Sequence, residues 1–203
     1  MIPPHEYLSL YGSADGYDKV VDQFDKTVNG IGIPYESRYV KTSFGLTHTL
    51  IWGNENGKPV VLWHGQNANA STWAKWIPPL AQNYRIYAVD IIGGMGKSAP
   101  IRLSRKGAAY GDWAAEFLQG IGLPRANMIG VSNGSWILLK LGSVAPEVVS
   151  SAVLMSSAGF MPLSMKLVVK IIFSSLSKDP EVIAKRLDIC LLSPRRQSRP
   201  GIR

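Results

Sequence analysis

Residues 127–136 read Asn-Met-Ile-Gly-Val-Ser-Asn-Gly-Ser-Trp, and this stretch decides which fold the sequence predicts. An apolar pair before the first glycine indicates a strand, and the apolar run 136–141 has helical character. A Gly-x-Ser-x-Gly turn between a strand and a helix predicts a nucleophile elbow, which exposes the hydroxyl of Ser132 at the end of the sheet. Gly130 and Gly134 have no Cβ atoms, so the strand and the helix can approach each other closely.

Ser132 is therefore the candidate nucleophile. The helix that follows it begins with free N–H groups, which favour developing negative charge. An activated serine also needs a general base, a group that orients the base, and donors for an oxyanion. The backbone N–H of Asn133 is one candidate donor. A second is expected in the loop 64–67, which reads His-Gly-Gln-Asn after an apolar run.

The sequence on both sides of this turn alternates between strands and helices. Short apolar runs predict strands that are buried in a parallel sheet, and Gly45 separates two alternating runs that predict an antiparallel hairpin. The predicted elements are the helix 15–30, the hairpin strands 38–44 and 46–52, the strand 60–63, the helix 71–80 with Ser71 as its cap, the strand 85–92, the helix 113–118, the elbow, and the strand 151–155. This order predicts an α/β fold with a mostly parallel twisted sheet and helices on both faces.

The composition indicates one globular domain. The 203 residues are 46% hydrophobic and 18% charged, which is enough for a sizeable core. The single cysteine, Cys190, permits no internal disulfide, and no signal peptide is evident, so we expect a cytoplasmic protein. The apolar stretch 161–176 contains Lys166 and Lys170, and it is too short and too charged to predict a membrane span.

The formal net charge of +8 does not predict a nucleic-acid-binding protein. Four arginines lie within the last nine residues: Arg195, Arg196, Arg199 and Arg203. Without them the formal net charge falls to +4, and no basic stripe is interleaved with aromatic residues. A solvated basic tail is the better interpretation of this charge.

Three motifs together resemble the α/β-hydrolase superfamily. They are the His64-Gly65 loop, the segment 90–98 (Asp-Ile-Ile-Gly-Gly-Met-Gly-Lys-Ser) and the elbow 130–134. The resemblance covers roughly residues 14–190. It is closest to bacterial carboxylesterases, which share a strand reading Tyr-Ala-Val-Asp-Ile-Ile-Gly and a hairpin with Phe-Gly-x-Thr-His. It implies hydrolysis of small-molecule carboxylic esters through an acyl-enzyme, without a cofactor or a metal.

The resemblance also implies a role for each candidate residue. Ser132 is expected to be the nucleophile, and Gln66 and Asn133 are expected to donate to the oxyanion. Structural support is expected from the remaining members of the motifs, which are His64, Gly65, Asp90, Gly130 and Gly134. Among these, His64 shapes the oxyanion loop and Asp90 braces the glycine-rich loop that follows it.

The sequence departs from the family after the elbow. On this fold an acidic residue and then a histidine follow the serine, but no histidine follows Ser132 in this chain. We therefore expect a truncation, or a tail read out of frame, before the last two strands. The predicted divisions are a helical lead-in (1–36), a hydrolase core (37–160), a partial helical cap (161–190) and an irregular basic tail (191–203). The lack of an imidazole predicts that this polypeptide is weak or inactive.

Two other classes of function fit parts of the sequence. The segment 93–98 ends like a phosphate-binding loop, but Ile91 stands where that loop requires glycine. A non-catalytic binding protein on a hydrolase scaffold is the alternative that the missing histidine favours. In a shortened fold the strand 151–155 would also be an apolar edge, which predicts poor solubility or self-association.

Overall fold

A computed structural model describes residues 10–157, and these residues form a six-stranded sheet. The strands are β1 (Tyr35–Thr42), β2 (Gly45–Gly53), β3 (Lys58–Trp63), β4 (Tyr84–Val89), β5 (Ala126–Val131) and β6 (Val149–Met155). Their order across the sheet is β1-β2-β4-β3-β5-β6. β2 is antiparallel to both β1 and β4, and the remaining pairs are parallel. The predicted, mostly parallel α/β sheet is confirmed.

Four α-helices cover the two faces of this sheet in the described part of the chain. They are α1 (Ala14–Asn29), α2 (Ile77–Ala81), α3 (Ala109–Gly120) and α4 (Asn133–Val144), with short 3-10 helices at Ala70–Trp73 and Pro146–Val148. α1 begins where the Ser13 hydroxyl accepts a hydrogen bond from the Gly16 N–H, at 3.1 Å. This cap replaces one of the hydrogen bonds that the first turn of a helix lacks.

The core consists of two apolar clusters, one on each face of the sheet. Trp113 of α3 and Ile137 of α4 belong to one cluster, and Phe24 of α1 and Ile77 of α2 belong to the other. Neighbouring residues of β3 alternate between them, because successive side chains of a strand point to opposite faces. β3 is therefore buried on both faces, as its continuous apolar run predicts.

The segment 71–80 differs from its prediction of one helix capped by Ser71. The chain forms a 3-10 turn, which Asn69 caps, and then the separate helix α2. Asn69 Oδ1 accepts hydrogen bonds from the N–H and the hydroxyl of Ser71, at 3.1 and 2.6 Å. Two consecutive prolines occupy the first turn of α2, where their missing N–H groups are tolerated and a preceding helix cannot continue.

The strand predicted at 85–92 ends earlier, at Val89. The chain turns after Asp90: the Gly94 N–H donates to the Ile91 carbonyl at 2.9 Å, and Gly93 has a φ of 69°. A glycine adopts this left-handed conformation without a steric penalty. The two isoleucines after Asp90 are buried in the core, which explains why their pattern resembles a strand.

β6 has the burial of an edge strand, although its apolar run predicts a buried one. Within residues 10–157 it pairs only with β5. Val153 is 53% exposed and Leu154 is 36% exposed. Successive residues point to opposite faces of the strand, so both faces of β6 present apolar surface.

Some sequence predictions lie outside the described residues. These are the first nine residues of the helical lead-in, the helical cap at 161–190 and the tail at 191–203. Among the helices of residues 10–157, none is both long enough and apolar enough to cross a membrane.

The contact between α3 and α4 predicts opposite effects for two glycine-to-alanine substitutions. A Cβ on Gly111 would lie 2.7 Å from the Lys140 carbonyl oxygen, whereas a Cβ on Gly142 would meet nothing within 4 Å. Gly111→Ala should lower the free energy of unfolding by about 1–3 kcal/mol, because the helices must separate. Gly142→Ala should raise it by about 0.5–1 kcal/mol, because alanine is the better helix former. Urea denaturation measures both, and equal effects would contradict this packing.

Candidate active site

Ser132 lies at a sharp turn between β5 and α4. Its φ of 52° and ψ of −109° fall outside the usual regions for a residue with a side chain. Such a conformation costs on the order of 1–3 kcal/mol and occurs where the surrounding structure enforces it. Here the Ser132 N–H donates to the Met155 carbonyl at 2.9 Å, and its carbonyl accepts from the Trp136 N–H at 3.1 Å.

Gly134 and Gly130 allow the strands and the helix to meet at this turn. A Cβ on Gly134 would lie 2.1 Å from the Trp63 carbonyl oxygen, and a Cβ on Gly130 would lie 2.7 Å from the Ser135 backbone nitrogen. Neither clash can be relieved by rotating a side chain, because each involves backbone atoms. The start of α4 is therefore held directly against the end of β3, and any larger residue at position 134 would displace it.

The loop that follows β3 lies beside Ser132. A Cβ built on Gly65 would be 3.7 Å from the Ser132 Cβ, which places the backbone of this loop next to the candidate nucleophile. Gln66 is exposed, and Asn67 has a φ of 54°. The sequence prediction that this loop and the elbow lie together is therefore consistent with the structure.

Arg105 lies over this loop and over the first turn of α4. Its guanidinium group is 4.5 Å from the centre of the Trp136 ring and 3.5 Å from Gln66 Oε1. Asn133 is buried, and its side-chain oxygen has no hydrogen-bond partner among the described residues. Arg105 therefore connects the 64–67 loop to the first turn of α4.

His64 is fully engaged by the backbone, and it does not face Ser132 as a base would. Its Nε2 accepts from the Ile91 N–H at 3.0 Å, so Nδ1 carries the proton and donates to the Gly65 carbonyl at 2.8 Å. Burial lowers the pKa of His64 below its usual value, although the charge of Asp90 opposes that shift. The ring is therefore neutral and connects the 64–67 loop to the chain after β4.

Asp90 binds three separate segments through its buried carboxylate. Oδ1 accepts from the Ala70 N–H at 2.7 Å, and Oδ2 accepts from the Lys97 N–H at 3.0 Å and from His48 Nδ1 at 2.6 Å. Burial alone would raise the pKa of Asp90, but the hydrogen bonds that its carboxylate accepts from His48 and from the Lys97 N–H lower it overall. The Gly96 backbone packs against this carboxylate, where a Cβ would lie 2.3 Å from its Cγ atom.

Sequence reasoning missed the role of His48. His48 lies on the hairpin strand β2, which β4 and β3 separate from β5 and the turn at Ser132. However, β2 pairs with β4, and the His48 side chain thereby reaches Asp90 and the hydroxyl of Ser37, at 2.9 Å. No local signal predicts this contact, because it depends on the register between two strands about forty residues apart.

Within the described residues, no group of three or more histidine, cysteine or acidic side chains could hold a metal ion. Lys97 of the glycine-rich segment 93–98 forms an ion pair with Asp25 of α1. The ammonium group of Lys97 therefore binds a carboxylate of the protein, which argues against a role for this segment in binding phosphate.

Comparison with known proteins gives consistent matches. The model of the alpha/beta hydrolase fold family matches residues 58–181. An uncharacterized carboxylesterase, nap, of Bacillus subtilis is 36% identical over 128 residues, which are 63% of this chain and 43% of that protein. Carboxylesterase YbfK of the same organism is 32% identical over 135 residues, 66% of this chain and 46% of the relative. The chain therefore spans about half the length of these curated relatives.

The solved structures that match this chain also include bacterial esterases. Naproxen esterase from Bacillus subtilis superimposes with a TM-score of 0.72 at 29% identity, covering 85% of this chain and 59% of that one. The carboxylesterase CesB (YbfK) from the same organism superimposes with a TM-score of 0.72 at 23% identity, covering 92% and 72% of the two chains. At that lower identity the likeness concerns the fold alone.

The neutral, buried state of His64 predicts a loss of stability in mild acid. An unfolded histidine takes up a proton as the pH falls below about 6.5, whereas the folded protein resists protonation because burial lowers the pKa of His64. The free energy of unfolding should therefore fall as the pH decreases from 7 to 5, by up to about 1.4 kcal/mol per pH unit for one proton. Urea denaturation at a series of pH values measures this slope.

The matched variant is His64→Gln, whose side chain can still accept from the Ile91 N–H but does not titrate. Its slope between pH 7 and 5 should be shallower than that of the wild type. His5 and His48 are present in both proteins, so the difference between the slopes isolates His64. Equal slopes would show that the folded protein protonates this ring.

Proposed function

Because this chain belongs to the α/β-hydrolase fold family, we propose that Ser132 is the nucleophile of a carboxylic-ester hydrolase that works through an acyl-enzyme. The observation that carries this proposal is the backbone of Ser132, held at a φ of 52° beside the Gly65 loop. A strained serine between a strand and a helix places its hydroxyl where an ester can reach it. The carboxylesterase relatives support the choice of esters as the substrate class.

In the proposed reaction, Ser132 Oγ attacks the ester carbonyl, the alcohol leaves, and water then hydrolyses the acyl-enzyme. The backbone N–H groups of Gln66 and Asn133 stabilise the oxyanion. Donors that are already in place are worth on the order of 3–4 kcal/mol each in such sites, because they need no rearrangement during the reaction. The 64–67 loop would supply the first donor and the start of α4 the second.

The remaining candidate residues would position this machinery. His64 and Gly65 would hold the 64–67 loop, since the His64 ring bonds both to that loop and to Ile91. Asp90 would hold the glycine-rich loop through the Lys97 N–H. Gly130 and Gly134 would keep α4 close to the sheet. The single cysteine of the chain supports a reducing compartment such as the cytoplasm.

The proposed nucleophile has no base among the histidines that the structure describes. His64 uses both ring nitrogens on the backbone, and His48 bonds to Asp90 and Ser37. No histidine follows Ser132 in the sequence. Loss of the base of a serine triad lowers turnover by roughly 10⁴- to 10⁶-fold. We therefore propose that these 203 residues alone bind esters but turn them over slowly.

Labelling with a fluorophosphonate, followed by peptide mapping, tests the role of Ser132. The proposed oxyanion donors would retain part of the rate enhancement without a base, so Ser132 should be labelled at least about tenfold faster than an ordinary exposed serine. Ser151 is the matched control, because it is an exposed strand serine whose hydroxyl donates to an amide oxygen, that of Asn127. Hydrolysis of p-nitrophenyl acetate by the same protein should remain slow.

Two results would overturn the proposal. Equal labelling of Ser132 and Ser151 would favour a non-catalytic binding protein on a hydrolase scaffold. Fast ester turnover that disappears in Ser132→Ala would show that the chain contains a base for this serine after all.

The edge of β6 supports a second proposal, that two copies of this chain associate through that edge. Within the described residues the outer side of β6 has no partner strand, and its unpaired N–H and C=O groups are a template for another strand. The exposed side chains of Val153 and Leu154 add apolar surface that a second copy would cover. A symmetric pairing of β6 with β6 would bury both features.

A charge on this edge should therefore reduce association. Val153→Lys places an ammonium group on the proposed interface, and charged residues on edge strands oppose pairing. Ile101→Lys is the control, since Ile101 is 48% exposed in a loop outside the sheet. Light scattering during size-exclusion chromatography should show dimers or larger species for the wild type and for Ile101→Lys, but mainly monomers for Val153→Lys. A monomeric wild type would refute the interface.

A further inference from the structure

Ser37, His48 and Asp90 form a hydrogen-bonded chain that is separate from the candidate active site. Ser37 Oγ lies 2.9 Å from His48 Nε2, and His48 Nδ1 lies 2.6 Å from Asp90 Oδ2. Ser37 is on β1, His48 is on β2, and Asp90 follows β4, so three neighbouring parts of the sheet contribute one residue each. A hydroxyl, an imidazole and a carboxylate linked in this order are the signature of an activated nucleophile.

The carboxylate determines how the imidazole is protonated. The pKa of Asp90 is lowered overall, so this buried group carries a negative charge. Its oxygen accepts the Nδ1–H of His48, which leaves the lone pair of Nε2 directed to the Ser37 hydroxyl. The N–H groups of Ala70 and Lys97 hold the carboxylate in place. A proton that moves from Ser37 to His48 therefore forms an imidazolium beside a fixed negative charge.

The three residues differ sharply in their access to solvent. Ser37 is exposed on β1, whereas the side chains of His48 and Asp90 are both 0% exposed. The rings of Tyr39 and Phe24 lie 5.0 and 5.9 Å from the His48 ring. A reagent can reach the Ser37 oxygen from solvent, but bulk water cannot reach His48 Nε2 while Ser37 occupies it.

We propose that Ser37 is a second reactive hydroxyl, a covalent modification site for activated acyl or phosphonyl donors, with His48 as its base and Asp90 as the group that orients the base. In the covalent step the Ser37 proton moves to His48 Nε2, and the oxygen forms a bond to the carbonyl carbon or the phosphorus. The bond from that atom to the leaving group breaks, and an activated leaving group such as p-nitrophenolate or fluoride departs with the electron pair without needing a proton. The proton stays on the His48 imidazolium, beside the Asp90 carboxylate.

The burial of His48 makes this a site of single modification rather than of turnover. Hydrolysis of the adduct needs a water molecule next to Nε2, but the His48 side chain is 0% exposed. The adduct on Ser37 therefore persists. This reactivity is independent of Ser132, because neither the elbow nor the 64–67 loop contributes a residue to it.

The experiment uses the full chain with Ser132→Ala, so that the elbow cannot react, and a fluorophosphonate as the probe. Peptide mapping compares the rates at Ser37 and at Ser151, the exposed strand serine that has no histidine partner. A general base contributes roughly 100-fold or more to such a step, so Ser37 should react at least about 100-fold faster than Ser151. With p-nitrophenyl acetate, the same protein should release about one equivalent of p-nitrophenolate and then stop.

Two comparisons assign the reactivity to His48. His48→Gln, with its fold checked by circular dichroism, should reduce the rate at Ser37 to that at Ser151. If that variant does not fold, unfolding the His48-containing protein in concentrated urea should remove the same advantage of Ser37 within one sample. Equal rates at Ser37 and Ser151 in the folded protein would overturn the proposal, as would a fast rate at Ser37 that survives both comparisons.

Labelling of Ser37 and labelling of Ser132 give adducts on different peptides, so each proposal can be refuted without affecting the other. An unreactive Ser37 in the Ser132→Ala protein leaves the esterase proposal unaffected. An unreactive Ser132 in the wild type leaves the Ser37 site unaffected. Ser37→Ala should remove the p-nitrophenolate burst of the Ser132→Ala protein, whereas the Ser151→Ala control should not.

Discussion

The buried carboxylate of Asp90 is the interaction on which the arrangement of this protein depends most. It is at the end of β4 and accepts hydrogen bonds from Ala70, Lys97 and His48, which belong to three different segments. A buried charge destabilises a fold strongly unless such partners satisfy it. Here the partners satisfy it and, in doing so, position the 3-10 turn, the glycine-rich loop and the first hairpin relative to the sheet. Loss of the carboxylate would release all three at once.

Close backbone contact at the elbow is the second constraint. The start of α4 touches the end of β3 where Gly134 stands, and Ser132 takes a conformation that few residues with side chains adopt. Strain of this kind persists only where packing over-determines the backbone. The buried core residues of β3 and α4, among them Trp63 and Ile137, provide that packing. Stability of the core is thus what holds the half-buried candidate nucleophile in this conformation.

The features of an activated serine are divided between two residues in the described part of the chain. Ser132 has the strained turn and the neighbouring amide groups, but no histidine. Ser37 has a histidine and an oriented carboxylate, but it lies in an ordinary strand. Since the contributions of base and oxyanion donors depend on each other, we propose that neither serine, with the described residues alone, supports fast ester hydrolysis.

The sequence predicts the parts of this protein that local signals encode. The strand–turn–helix around Ser132, the hairpin around Gly45 and the buried strand β3 follow from glycine positions and apolar periodicity, and the structure contains all three. The prediction of one helix over residues 71–80 was wrong because two consecutive prolines begin a separate helix within this segment. The contact between His48 and Asp90 could not be predicted, because it arises from the pairing of β2 with β4 and from the direction of two buried side chains.

The hydrogen bonds of Met155 connect the elbow to the rim of the sheet. Its carbonyl accepts from the Ser132 N–H at 2.9 Å and from the Ser135 hydroxyl at 3.1 Å. β6 is thus both an edge strand of the described sheet and the support of the turn at Ser132. Under the proposed pairing of β6 with β6, a second chain would restrain this strand and, through the Met155 carbonyl, the backbone of Ser132. Assembly at the edge of the sheet would then be coupled to the rigidity of the candidate nucleophile.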